Sequence, residues 1–288
     1  MTRPLGTPKT ITVGSSTVQY FEVGPADGAP VVFVHGLLVN ADLWRNVAPP
    51  LAEAGLRCIV PDWPLGSHTI PVPDADLTPP GVAALMADFL DALELRDVTI
   101  IANDTGGALT QILMTTRPER IARVVLTPSD CFDQFFPDMF TGMMRLARVP
   151  GAMFVLAHAM RMKFAQRLPI AYGWLTHEPI DPEIMRSYLR PVRVDAKIRR
   201  DVVRFLKTVD KKHTLAAAER FAQFDKPVLL AWAPEDRVFP VALAHRLAAA
   251  LPNATLVPID GSYTFVPEDQ PDALVTAVLD FVWHNAAA

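Results

Sequence analysis

The stretch "ANDTGG" (102–107) sets an aspartate, Asp104, between two small residues, Ala102 two positions before it and Gly106 two after. The β-branched run "DVTII" (97–101) precedes it, and "ALTQILMTTRPER" follows with apolar residues at helical spacing. This pattern predicts a strand, a tight turn and a helix, with Asp104 at the turn and neighbours small enough for the backbone to fold away from an exposed side chain. A carboxylate presented in this way can attack a carbon electrophile, accept a proton, or merely cap the helix that follows. Serine is the usual occupant of such an elbow. Here Ser67 and Ser262 fall in other loops, which disfavours serine chemistry.

The elements that must position Asp104 are short β-branched runs alternating with helical patterns. Strands are predicted at "KTITV" and "VQYFEV" near the start, then at 30–34, 57–61, around "VTII", at 122–126, 227–232 and 254–259. Helices such as 78–95, 240–252 and 270–284 lie between them, which implies an α/β fold with a mostly parallel eight-stranded sheet flanked by helices. The first two strands are close enough for an antiparallel hairpin at the sheet edge. Alternation stops near residue 128 and resumes near 226, and the interval holds seven of the ten methionines together with several phenylalanines. A core domain of 1–128 and 216–288 with a helical cap insertion over 129–215 is therefore expected, the cap enclosing an apolar cavity at the carboxyl ends of the strands.

Half of the residues are hydrophobic and the net charge is −4, values of an ordinary soluble domain and not of a nucleic-acid binder. With no apolar leader in the opening residues and no long apolar run, neither secretion nor a membrane partner is expected, and the cytoplasm is the expected location. The two cysteines, Cys58 and Cys131, form neither a disulfide framework nor a metal-ligand spacing, so no metal and no cofactor is expected. Residues 190–213 carry nine Lys or Arg against three Asp, with apolar residues at helical spacing, and read as an amphipathic helix with a wet basic face.

Further chemical residues fall where strands are predicted to end. His35 and Gly36 follow the third strand in "VFVHG", His68 follows the fourth in "PDWPLGSH", and Asp130 follows the sixth. Asp236 follows the seventh in "APEDRVFP", and "PIDGSYTFVPEDQP" follows the eighth. With the Asp104 elbow, this order of motifs resembles the α/β-hydrolase superfamily, in particular the capped branch that holds epoxide hydrolases and haloalkane dehalogenases, whose nucleophile is an aspartate. The resemblance covers nearly the whole chain from about residue 18.

The resemblance implies that Asp104 is the nucleophile, that the backbone N–H groups of Leu37 and Thr105 form the oxyanion hole, and that Asp236 is the acid that orients a catalytic histidine. His35 would shape its loop, and Asp130 stands where some dehalogenase relatives keep their acid. Tyr172 and Tyr188 are the cap tyrosines that could protonate an opening epoxide ring. Two departures stand against these matches. The histidine expected after the last strand in a "GHF"-like context is replaced within "YTF" by Thr264, 28 residues past Asp236, and a threonine accepts no proton near neutral pH. The tryptophan and asparagine that cradle a halide in dehalogenases are replaced by Thr105 and Leu37. Of the seven histidines, His68 is the one expected to be able to reach Asp104 across the crevice.

The expected function is a hydrolase of a small apolar molecule, of epoxide or ester type, bound under the cap of a monomer or homodimer. The alternatives are a lyase or isomerase in which Asp104 is a general base, and an inactive homologue that only binds a ligand.

Overall fold

Strands form where the β-branched residues cluster, and the faces they bury follow from composition. A computed structural model describes residues 5–146 and 148–285. It opens with β1 (Lys9–Val13) and β2 (Ser16–Val23), an antiparallel hairpin whose two-residue turn places Gly14 at φ +57°, a backbone conformation that suits glycine. β3 (Pro30–Val34) leads through a 3-10 turn at Ala41–Trp44 to α1 (Ala48–Glu53), and β4 (Arg57–Pro61) leads to α2 (Pro79–Ala92). The Thr78 hydroxyl starts α2 by accepting the Gly81 N–H at 3.1 Å, and prolines fill the next two positions, whose N–H groups would have no helical partner. β5 (Val98–Ala102) runs through Asp104 into α3 (Thr105–Thr116), and β6 (Ile121–Leu126) follows.

Beyond β6 come α4 (Thr141–Leu146), α5 (Ala152–Ala159), α6 (Lys163–Gln166), α7 (Pro182–Val194), α8 (Ala196–Thr208) and α9 (Lys212–Ala218), with no strand among the described residues of this interval. The basic stretch at 190–213, predicted as one helix, is divided at Asp195, which ends α7 and caps α8 by accepting the Lys197 N–H at 2.7 Å. The expected boundary at 215 falls inside α9. That helix packs on α3, and its Thr214 hydroxyl donates to the Phe132 carbonyl at 2.6 Å. The chain closes with β7 (Val228–Trp232), α10 (Val241–Ala250), β8 (Ala254–Pro258), α11 (Val266–Asp269) and α12 (Pro271–His284).

The eight strands form one sheet in the order β1-β2-β4-β3-β5-β6-β7-β8. β1 and β2 pair antiparallel, as do β2 and β4, and every other pair is parallel. β5 and β7 are buried at every residue, which is why they read as uninterrupted apolar runs: helices cover both faces. Because the strands from β3 onward point the same way, the loops after Val34, Pro61, Ala102, Leu126, Trp232 and Pro258 share one edge of the sheet. All the residues singled out above for chemistry, except the two tyrosines, lie in those loops or, for Thr105, at the first position of the helix that follows one. No helix among the described residues is long and apolar enough to cross a membrane.

Candidate active site

Asp104 adopts φ +55° and ψ −133°, a sparsely populated conformation for a residue with a side chain, and one of a kind that costs about 1–3 kcal/mol. The surroundings hold it there. Its N–H donates to the Pro128 carbonyl at 2.9 Å, and its own carbonyl accepts the Gly107 N–H at 2.9 Å. Gly106 packs on the carbonyl of Val34, where a Cβ would collide, so the elbow needs glycine two residues after the carboxylate. Gly36 is equally constrained, since a Cβ there would lie 2.6 Å from both Cβ and Cγ of Asp104. The side chain of Asp104 does not cap α3. The cap reading of this aspartate is therefore set aside.

One oxygen of Asp104, Oδ2, accepts the Leu37 N–H at 3.2 Å, and the nearby Thr105 N–H also favours the charged carboxylate. The rest of the side chain is half-buried and faces a cavity between the strand ends and the helices that follow β6. Leu37 and Leu38 form its floor with Asp104, while Phe136, Phe140, Met143, Leu156 and Met160 form the far wall. Among the lining residues the polar side chains are Asp104 and Tyr172, whose hydroxyl donates to the Leu38 carbonyl at 2.8 Å. Burial in these surroundings pushes the Asp104 carboxyl from 3.8 up to about 7; the two N–H groups oppose the rise and the charge of Asp236 adds to it.

Asp236 is buried beside Thr264. Its Oδ1 accepts the N–H groups of Val238 and Phe239, each at 2.6 Å, so this carboxylate holds its own turn. Its Oδ2 has no partner meeting hydrogen-bond geometry, and neither has Thr264 Oγ1. Burial pushes the Asp236 carboxyl up to about 6, against the pull of the Val238 and Phe239 N–H groups and of the nearby Thr264 hydroxyl. Asp130 is fully buried with both oxygens unpartnered; burial first and the charge of Asp104 second hold its carboxyl well above the usual range. Three carboxyls thus surround the elbow with no imidazole between them. Asn103 was not singled out from the sequence. Its Nδ2 donates to Thr127 Oγ1 at 2.7 Å and to the Thr264 carbonyl at 2.6 Å, tying the loops after β5, β6 and β8 together.

His35 shapes its loop. Its ring accepts the Trp63 N–H on Nε2 at 2.8 Å and donates from Nδ1 to the Gly36 carbonyl at 2.9 Å; burial lowers its pKa to about 4, keeping the ring neutral. Two expectations need correcting. His68 does not turn toward Asp104: Nδ1 accepts the Gly66 N–H at 3.3 Å and Nε2 faces Asp201 Oδ2 of α8 at 3.3 Å. Asp201 is fully buried and must find donors, which His68 and the Val72 N–H at 2.9 Å supply. Tyr188 does not line the cavity either. Its hydroxyl donates to Glu268 at 2.9 Å, the carboxylate that Arg45 grips with two contacts of 2.6 Å. Of the two tyrosines, Tyr172 is the one at the cavity.

The family model for the alpha/beta hydrolase fold matches residues 29–271. Among curated proteins, the chain is 25% identical over 281 residues to an uncharacterised hydrolase of Bacillus subtilis (strain 168), YugF, covering 94% of this chain and 96% of that protein. It is 27% identical over 274 residues to haloalkane dehalogenase 2 of Mycobacterium bovis, covering 92% of each. Among solved structures, haloalkane dehalogenase DbeA from Bradyrhizobium elkani USDA94 superposes with a TM-score of 0.81 at 22% identity, covering 98% of this chain and 99% of that one, a likeness of fold. With the family model spanning β3 to β8, the elbow and the loops that converge on it, the chain belongs to the alpha/beta hydrolase fold family.

Proposed function

We propose that this chain is an enzyme of hydrolase type in which Asp104 attacks a carbon electrophile of a small apolar molecule held beneath a cap formed by residues 129–215. The observation that carries this reading is the environment of one carboxylate: Asp104 opens into an apolar cavity with one oxygen already held by the Leu37 N–H at 3.2 Å. The free oxygen attacks carbon and forms an alkyl ester as the bond from that carbon to its leaving atom, the ring oxygen of an epoxide, breaks and the electron pair stays with that atom. The held oxygen becomes the ester carbonyl, and when water adds to that carbonyl the negative charge develops where two N–H donors already point.

An epoxide suits the cavity better than an alkyl halide. The lining offers no side-chain N–H to receive a halide, whereas the Tyr172 hydroxyl, once its proton turns from the Leu38 carbonyl, can hydrogen-bond a ring oxygen that stays attached to the product. Hydrolysis of the ester lacks its usual base, because Thr264 stands beside Asp236 where an imidazole is wanted. The ester is accordingly long-lived. Intact-protein mass spectrometry after incubation with an epoxide, an alkyl halide and an activated ester tests the reading, with peptide mapping to locate the adduct. A stable adduct on Asp104, or turnover that Asp104→Ala abolishes, supports it; neither adduct nor product with any electrophile removes it.

A second reading has one observation in its favour. A carboxyl raised to about 7 exchanges protons readily at neutral pH, which suits a general base beside a preformed pair of N–H donors in a lyase or isomerase. Exchange of solvent deuterium into a bound carbon acid, without an adduct, distinguishes it.

A further inference from the structure

The exposed apolar surface of this protein is concentrated on the helices after β6. Val155 is 66% exposed, Phe164 67% and Ile170 61%, with Val149, Phe154 and Met162 about half exposed. Helix α5 gives water a single polar side chain, His158: Met153 and Ala157 are buried, Leu156 lines the cavity, and Phe154 and Val155 point outward. Exposed apolar surface of this extent marks a docking site.

Charge follows the same surface. Between Met139 and His177 stand five Arg or Lys and no Asp or Glu, and residues 129–215 carry fifteen Lys or Arg against nine acids in a chain whose net charge is −4. One groove beside α6 is lined by Arg161, Lys163, Arg167, Arg186 and Arg193. A second, beside Val149 and Phe154, is lined by Arg148, Arg199, Arg200 and Lys207. No carboxylate lines either groove, and none of these nine cations makes an ion pair with a carboxylate among the described residues. Three of the nine acids of this region, Glu178, Asp181 and Glu183, stand at or just before the start of α7, and the other six likewise lie outside both groove linings.

We infer that this face docks on the surface of an anionic phospholipid bilayer, its apolar side chains entering the headgroup boundary and its two basic grooves receiving lipid phosphates. A second copy of the chain is the weaker fit, because a two-fold contact through this face would set cationic grooves against cationic grooves. A nucleic acid would satisfy the cations and leave Val155 and Phe164 against phosphate. The sequence expectation of no membrane partner rested on the lack of a span, and surface docking needs none. Ile170 is both exposed and part of the cavity lining, so the docked face includes the cavity rim. If Asp104 acts on an apolar substrate as proposed above, that substrate passes from bilayer to cavity without crossing bulk water. Docking itself does not depend on that reading.

Co-sedimentation of the full chain with phosphatidylcholine vesicles, with and without phosphatidylglycerol, tests the inference. Binding is expected only to the anionic vesicles and is expected to fall with added salt. The pair Lys163→Gln and Arg167→Gln lowers the partition coefficient roughly 30-fold, about fivefold for each cation removed. The pair Val155→Ser and Phe164→Ser also lowers it, with thermal melting and the reactivity of Asp104 unchanged, since neither residue lines the cavity. Equal sedimentation with both vesicle types, or with neither, overturns the inference. So does light scattering that shows a dimer which the two serine substitutions dissociate, or tighter binding to double-stranded DNA than to the anionic vesicles. Inertness of Asp104 in every electrophile assay leaves this result untouched.

Discussion

Replacing Asp104 by asparagine should stabilise the protein, and by an amount that depends on pH. The folded-state carboxyl titrates near 7 against an ordinary 3.8 because burial opposes its charge. At a pH below 3.8 it is protonated in the folded and unfolded chain alike, and the substitution changes little. Between these values the folded chain retains a proton that the unfolded chain has released, so wild-type stability falls as pH rises, by about 1.4 kcal/mol per unit. Above about 7 the full loss, roughly 4 kcal/mol, is reached. Asparagine cannot ionise and escapes it. Its oxygen can still accept from Leu37 and Thr105, but its amide must then face the apolar cavity, which returns about 1–2 kcal/mol. The net gain is about 2–3 kcal/mol at pH 8, shrinking toward zero or below near pH 4.

Urea denaturation followed by tryptophan fluorescence measures this, since Trp44, Trp63 and Trp232 are fully buried and report on the core. Both proteins are unfolded at several pH values between about 4.5 and 8, where the difference in stability should widen steadily. Mass spectrometry must confirm that the amide has not reverted to the acid, and Asp104→Ala provides a control that cannot revert. A difference that stays flat with pH, or a variant less stable than wild type at about pH 8, would refute the claim that burial at the elbow holds this carboxyl high.

Four further outcomes are expected. Gly36→Ala pushes the Asp104 side chain off the Leu37 N–H, and its rate of alkylation falls about 100-fold for a displacement of about 1 Å; peptide mapping after timed exposure to an epoxide reads it. Alkylation in the wild type rises with pH through about 7 and then levels as Asp104 completes its ionisation, a profile that Asp104→Ala abolishes. Tyr172→Phe slows reaction with epoxides by about 10²-fold or more while leaving alkyl halides nearly unaffected, because only the ring oxygen needs the O–H. Thr264→His sets an imidazole beside Asp236 and shortens the lifetime of the Asp104 ester by about 10²-fold, at a packing cost of about 1–3 kcal/mol visible in thermal melting.

Local pattern was enough for the sheet. Every predicted strand, from "KTITV" to "ATLVPI", coincides with an observed one within a residue or two, because strand and helix periodicities record which side chains face the core at each step of the backbone. The elbow was legible for the same reason: the β-branched run, Asp104 and Gly106 make a local backbone demand within a few residues. The loss of strand pattern after β6 was legible too: the described residues between β6 and β7 form no strand. The division of the basic stretch at Asp195 was not, since the apolar spacing runs across a residue that ends one helix and caps the next.

Partners far apart in the chain were beyond the reach of pattern. Nothing near His68 indicates Asp201, 133 residues on, yet that buried acid takes the ring away from the crevice. Tyr172 and Tyr188 are equivalent as letters; helix packing gives one the cavity and the other Glu268. The basic stretch read as an ordinary wet helix face, and only when α5 and α6 pack beside α7 and α8 do its arginines join those of residues 145–167 around exposed apolar side chains. Backbone conformation is selected by neighbours in the chain, and so sequence determines the strands, the elbow and the aspartate it presents. The chemistry of a buried group depends on which distant donor, charge or apolar wall meets it, and that is decided by tertiary packing.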